Sequence, residues 1–406
     1  YLSSANSNTK SVAGAADVVL AANIAGTASA TQNALLYGIS GKNGSSLSAF
    51  LNSLSGENYA ATLAVVPQAT QRLQQSVISR LGDTMTAPAM AGAMAMAGNS
   101  AISATNPGGQ PTAAMSSNPA VNPQAPQAGG MSFTNGAAWG EIAYQYGNRS
   151  ADSNSGGWNS NLVQVVAGTD IFSQDGKKIG AGLAYSNTSV NAAQGSGTVQ
   201  QGSLFLYGKL PIDLFVLDAM ASYGLNNTSN SRTDPINVNA NLQAKSVSGN
   251  DALLSLGLNL PIETASALIT PYARATWQQV SQSGFTDGVT PAALAVNSFY
   301  GNGVRGVLGV ALGSKAVDPL KESITYRANV GVGVDSSPLL NPVLTATLAG
   351  TATTINTPAA GNAFIQAGIY ATARFADNAF AYAGITAEGR SGQILAGGNV
   401  GVRVHF

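Results

Sequence analysis

The chain has 406 residues with 18 basic and 18 acidic side chains, so its formal net charge is zero. Only 9% of residues are charged, against roughly 25% in an ordinary soluble domain, and there is no cysteine and one histidine, His405. These numbers exclude a nucleic-acid protein held by phosphate contacts, thiolate catalysis, structural zinc and a histidine-based triad. With so few charges, either much of the surface does not face water or much of the chain is unfolded.

Three zones follow in chain order. Residues 1–83 are rich in Ala, Leu, Val, Ser and Gln, and read as short helices separated by Gly and Asn. Their best apolar stretch, Val18 to Ala22, is cut by Asp17 and Asn23. It falls far short of the roughly 20 residues a spanning helix needs. Tyr1 does not open a basic-plus-apolar signal peptide, so an exported form is expected to be the mature part of a longer precursor. Residues 84–132 hold six of the seven methionines together with Pro88, Pro107, Pro111, Pro119, Pro123 and Pro126. Such a composition reads as a flexible linker, because it offers too little apolar surface to offset backbone ordering.

Residues 133–406 alternate with period two. Ile324, Tyr326, Ala328, Val330, Val332 and Val334 share one face, opposite Thr325, Arg327, Asn329, Gly331, Gly333 and Asp335. Val400, Val402, Val404 and Phe406 repeat the pattern against Arg403 and His405. A soluble sandwich alternates as well, so the breaks decide. Short breaks fall at 174–177, 210–213, 261–263 and 376–378, with a longer one around 315–322. Long breaks rich in Asn, Ser, Thr and Gly fall near 148–158, 187–198, 227–243, 281–295, 336–360 and 389–394. Long and short alternate strictly, as in an up-and-down barrel with short periplasmic turns and long outer loops. Six long and five short breaks predict twelve antiparallel strands in an all-β transmembrane barrel.

The segment Leu54-Ser55-Gly56-Glu57-Asn58-Tyr59-Ala60, followed by a helix ending Ser79-Arg80-Leu81-Gly82-Asp83, resembles the region ahead of the barrel in autotransporters, the type V secretion proteins. Gly136 to Glu141, with Trp139, is similar to that family's opening strand. Segments 166–170 and 178–186 are similar to its second and third strands. The resemblance covers about 50–83 and 133–406. It implies a helix that traverses or plugs the pore, a covalently linked upstream passenger, an outer-membrane lipid setting, and a monomer. It also implies insertion by the barrel assembly machinery, whose signal Val400, Val402, Val404 and Phe406 would carry. The asparagine pair that some members cut within their helix is absent between Pro67 and Leu81.

The helix is expected over Pro67–Leu81, since Pro suits a first turn and Gly82 a stop. Fifteen residues at 1.5 Å give about 22 Å, close to the roughly 25 Å apolar band of such barrels. Pro67, Gln71, Arg72, Gln75, Ser79 and Arg80 are its candidate pore residues; Leu73, Val77 and Leu81 form a narrow apolar stripe. Lumen charges are expected at Glu141, Arg274, Arg305, Arg327, Arg374, Glu388 and Arg403, with Arg72 and Arg80 able to meet Glu141 or Glu388. Strand parity is open at Leu204–Tyr207 and Phe380–Tyr382. No catalytic, cofactor or metal site is expected: Asp213 reads as turn chemistry, and Gly301-Asn302-Gly303 opens no helix.

The resulting organisation is a helical passenger-proximal region at 1–58, a linker and pore helix at 59–83, a flexible linker at 84–132 and the barrel at 133–406. The leading reading is an autotransporter translocator in a Gram-negative outer membrane, its N-terminal region at the cell surface. Two alternatives stay open. One is a porin-like or adhesive barrel with a helical plug; the other is a soluble secreted adhesin or surface-layer protein.

Overall fold

A computed structural model describes residues 5–82, 136–314 and 324–406. Twelve long strands carry the architecture: β1 (Ala137–Arg149), β2 (Trp158–Gln174), β3 (Lys177–Ala192), β4 (Gly195–Ile212), β5 (Phe215–Thr233), β6 (Asn241–Asn259), β7 (Ala267–Gln282), β8 (Phe299–Ser314), β9 (Ile324–Asp335), β10 (Ala363–Ala376), β11 (Ala379–Arg390) and β12 (Gln393–His405). Each pairs antiparallel with its neighbours in the chain, and β1 pairs with β12. The sheet therefore closes on itself with the expected strand number and no edge, as a lipid-exposed β structure requires.

Side-chain parity follows the period-two pattern. On β8, Leu308 is 64% exposed and faces outward, while Val307 is 6% exposed and faces the lumen. The ambiguous strands resolve the same way: Leu204 and Leu206 point out, whereas Phe205, Tyr207 and Phe380 are buried inside. Val400, Val402, Val404 and Phe406 all lie on the outer face.

Two polar stretches expected as long loops are strand instead. β3 and β4 continue to a turn of only Ala193 and Gln194, and β11 meets β12 across Ser391 and Gly392. A spanning strand needs about 9–11 residues; β5 and β6 have 19 each. The surplus projects past the membrane band at the long-loop end, where outward Asn, Ser and Thr face water and read as loop. At the opposite end, β2 and β3 are joined by Asp175 (φ +52°) and Gly176 (φ +75°), the paired positive angles of a tight hairpin. The linker at 84–132 and the break at 315–322 lie outside the described residues.

Among the described residues, four helices precede the barrel: α1 (Ser7–Ile24), α2 (Ala30–Ile39), α3 (Gly44–Ser53) and α4 (Glu57–Leu81). The first is capped by Asn6, whose side chain accepts from the Thr9 amide at 2.8 Å, and the second by a Ser29–Gln32 capping box. Helix α4 starts ten residues before the expected Pro67, so it crosses the 58/59 boundary and Pro67 sits in its interior. The reason is tertiary. Residues 59–66 are buried on every side, as an all-round apolar helix must be. From Gln68 onward the helix is polar and enters the lumen. Proline inside a helix costs about 3 kcal/mol, and here both flanks are held by packing. Gly56 turns the chain into α4 at φ +67°, with Leu294 Cδ1 2.7 Å from where a Cβ would stand.

The long-loop mouth has its own core. Loop segments Phe285–Thr286, Leu294–Val296, Val343–Leu348 and Thr351–Asn356 form a small antiparallel sheet. Leu294, Leu344, Leu348 and Ile355 from these loops pack with Val12, Leu35, Phe50, Leu54, Leu63 and Val66. Helix α1 completes the sheet edge with side chains: Asn8 Oδ1 accepts from the Asn356 amide at 2.7 Å and Ser11 Oγ from the Thr354 amide at 2.8 Å. Helices α1–α3 thus cap the mouth that α4 enters.

Candidate functional site: the occupied lumen

The polar half of α4 is seated mainly against β2–β6. Thr70 donates to Asp251 at 2.6 Å, and Gln74 donates to Ser255 at 2.6 Å and Thr276 at 2.7 Å. Gln201 donates to Thr70 at 2.9 Å, and Gln164 to the Ala69 carbonyl at 3.1 Å. Ser76 donates to Glu141. The apolar stripe Leu73, Val77 and Leu81 packs on Trp139, Val166, Phe205, Tyr207 and Met220. These wall residues all face inward by the alternation that puts leucines outside.

Both ends of α4 are fastened by mostly buried polar and charged side chains. At the short-turn end, Arg80 Nη2 lies 2.5 Å from Asp170 Oδ1, and the Lys209 ammonium donates to the Leu81 carbonyl at 3.0 Å. At the mouth, Tyr59 donates to Asp287, which pairs with Arg232 at 2.8 Å. Glu57 accepts from Asn6 at 3.0 Å, Asn8 at 3.3 Å and the Gly156 amide at 3.1 Å, among the loops beyond β1. Burial pushes this carboxyl above its ordinary value, with its hydrogen bonds pulling the other way.

The helix does not fill the pore. Beside its C-terminal turn a cavity of 390 Å³ is lined by Ser79, Gly82, Lys209, Glu263, Arg327 and Tyr370. A smaller one of 90 Å³ continues along Gln71 and Gln75, facing Arg274, Arg305 and Gln366. Among the described residues, no three His, Cys, Asp or Glu side chains stand together as a metal site.

A closed twelve-stranded barrel with a helix entering at the long-loop mouth and ending at the short-turn side narrows the families to consider. The model of the autotransporter β-domain matches residues 138–386, more than half of the chain. The chain belongs to the autotransporter β-domain family. It is an outer-membrane barrel of the translocator type. The translocator domain of autotransporter NalP from Neisseria meningitidis is 19% identical, covering 67% of this chain and 89% of that one at a TM-score of 0.54. The β domain of the Bordetella autotransporter BrkA is 14% identical, covering 67% of this chain and 99% of that one at 0.50. Both likenesses concern the fold. No curated protein sequence matches the chain.

Within this autotransporter barrel the expected lumen charges take definite partners. Arg274 grips Asp218 at 2.6 and 2.9 Å, and Arg305 meets Asp335 at 3.2 Å and also Glu388. Arg403 lies over the Phe380 ring, 4.9 Å from its centroid, and Arg327 sits against Gly82. Arg374 follows Phe364, Gln366 and Thr372 on the inward face of β10. The helix cations go elsewhere than to Glu141 or Glu388. Arg72 donates to the Gly398 carbonyl at 3.1 Å and Thr386 at 3.2 Å, with Glu141 nearby but not bonded, and Arg80 takes Asp170. His405 packs edge-on to Phe380 at 5.4 Å.

Several of these residues escaped the sequence reading. Asp170 was within reach, since it continues the inward series Val166 and Gly168. Arg232, Asp287 and Arg149 were not, because they serve the mouth, where loops leave no period to read. Arg149 donates to the carbonyls of Leu340 at 2.8 Å and Pro358 at 3.1 Å and so gathers the loop after β9.

Proposed function

We propose that this barrel carries an upstream passenger to the cell surface and then anchors it there, without bond chemistry by this chain. The observation that carries the reading is the direction of α4. It runs from the long-loop mouth to the short-turn end, so the described residues ahead of Glu57, 5–56, lie on the long-loop side. In bacterial outer-membrane barrels the long loops are external and the short turns periplasmic. Helices α1–α3 then sit outside as the joint between passenger and pore, and α4 remains as the plug. The outward Val400, Val402, Val404 and Phe406 of β12 serve as the insertion signal read by the barrel assembly machinery, and the barrel works as a monomer.

The test adds a signal peptide and an epitope before Tyr1, expresses the chain in a Gram-negative host and treats intact cells with protease. Translocation predicts loss of the epitope while a heat-modifiable barrel persists. A protected epitope beside a folded barrel puts the N-terminus in the periplasm and makes the porin-like reading the better one.

A further inference from the structure

The wall beneath α4 has two textures. At the height of Thr70 to Gln74 the wall under the helix carries mainly hydroxyls and amides, among them Gln164, Gln201, Ser203, Ser222 and Ser255, with Asp251 bonded to Thr70 and with Arg274 and Arg305 across the narrower cavity. Each hydrogen bond of this kind contributes about 0.5–1.5 kcal/mol net, and such groups accept many partners. That surface suits the passage of arbitrary sequence. The short-turn end differs. Trp139, Phe205 and Tyr207 cluster with ring centroids 6.0 to 6.2 Å apart, and Tyr207 donates to Asp170 at 2.7 Å.

Arg80 fills this cluster. Its guanidinium carbon lies 4.8 Å from the Trp139 ring and 5.2 Å from the Tyr207 ring, while Nη2 reaches Asp170. A planar cation that stacks on aromatic rings and bonds a carboxylate is a demand only arginine meets fully. Beside it, Leu73, Val77 and Leu81 lie along the same wall at intervals of four. The same pattern occurs eight residues earlier in α4, as Val65, Ala69, Arg72 and Leu73. Because a helix repeats by a screw motion, moving α4 by eight residues, about 12 Å, brings Arg72 to the place of Arg80.

We propose that the Trp139–Tyr207–Asp170 cluster is the stop that sets where α4 halts, engaging Arg72 first and Arg80 last as the chain moves outward. This rests on the translocation reading above. Arg80 is then a positioning residue for the end of transport.

The chain has no cysteine, so crosslinking of paired introduced cysteines reports register cleanly. Gln74→Cys with Ser255→Cys, bridged by a short bis-thiol crosslinker, reads the final register, since Gln74 Nε2 and Ser255 Oγ meet at 2.6 Å. Val66→Cys with Ser255→Cys reads the register eight residues back. Both pairs are made in the full chain, carrying the surface epitope, with Arg80, Arg80→Ala or Arg80→Lys, and only heat-modifiable barrels are scored. With Arg80, the 74–255 crosslink forms and the 66–255 crosslink does not. Arg80→Ala should lose at least half of the first and gain the second, and Arg80→Lys should fall between, since it retains the charge without the stacking. An unchanged 74–255 yield in both variants, with the epitope exposed, overturns the stop alone. An epitope protected in all chains overturns the stop together with translocation.

Discussion

Arg232 on β5 and Asp287 in the loop after β7 pair at 2.8 Å with neither side chain exposed at all. Their remaining hydrogen bonds tie the mouth together. Arg232 also donates to the carbonyls of Ala292 at 2.6 Å and Ser53 at 3.2 Å, and Asp287 accepts from the Leu294 amide at 2.8 Å. Removing one partner of a buried pair leaves an uncompensated charge and costs about 3–5 kcal/mol. Arg232→Ala is therefore expected to release the cap while the barrel stays folded. Limited proteolysis in detergent should cut residues 5–54 while the heat-modifiable band survives. An uncut cap would mean that the mouth core holds without this pair.

Glu57 gives cap docking a pH dependence. Its carboxyl is raised above 4.5 by burial when the cap is seated. The seated state therefore keeps a proton that the released segment has already lost. This contribution is fully present below about 4.5 and fades as pH rises through the folded value, so docking weakens on the alkaline side of that window. Glu57→Gln should flatten the dependence. Protease sensitivity of the cap between pH 4 and 8 checks it, and a cap that tightens with rising pH contradicts it.

Lipid-facing parity predicts a depth effect along one strand. Leu308 and Asn302 share the outer face of β8, but Leu308 lies about 20 Å along the strand from its short-turn end and Asn302 nearer the loops. A lysine near mid-depth costs about 2–4 kcal/mol, and one near the interface about 0–1 kcal/mol. Leu308→Lys should lower the urea midpoint of the barrel in lipid vesicles, and Asn302→Lys should leave it nearly unchanged. Equal shifts would place β8 differently in the bilayer.

How far the fold was legible follows from what period two can report. It located twelve strands and their faces because one face meets lipid and the other the lumen, and a one-residue error would invert both. It failed where strands leave the membrane: the outward Asn and Ser positions of β3, β4, β5 and β6 look like loop although the ladder continues. The helix start was misplaced because proline at a first turn is a strong local signal. The apolar residues 59–66 needed the mouth core, assembled from segments as distant as Val12 and Ile355, to become helix. Arg80 was recognisable as a lumen cation, but its partner Asp170 required parity to be carried to the end of β2.

The C-terminus offers a fourth test. The Phe406 side chain is on the outer face, and its amide donates to the Gly136 carbonyl at 3.0 Å, closing β12 on the start of β1. Deleting Phe406 should reduce the amount of folded barrel in cells several-fold while leaving refolding in detergent close to normal. Unchanged cellular yield would count against β12 as an insertion signal.

The translocation function turns on which side of the membrane each end of the barrel faces. Single cysteines at Tyr37 in the cap and at Asp213 in the β4–β5 turn can be labelled on intact cells with a membrane-impermeant maleimide, against a chain that has no cysteine of its own. With the cap outside and the short turns in the periplasm, Tyr37→Cys is labelled and Asp213→Cys is labelled only after the outer membrane is breached. Labelling of Asp213→Cys on intact cells, with Tyr37→Cys protected, would contradict this orientation.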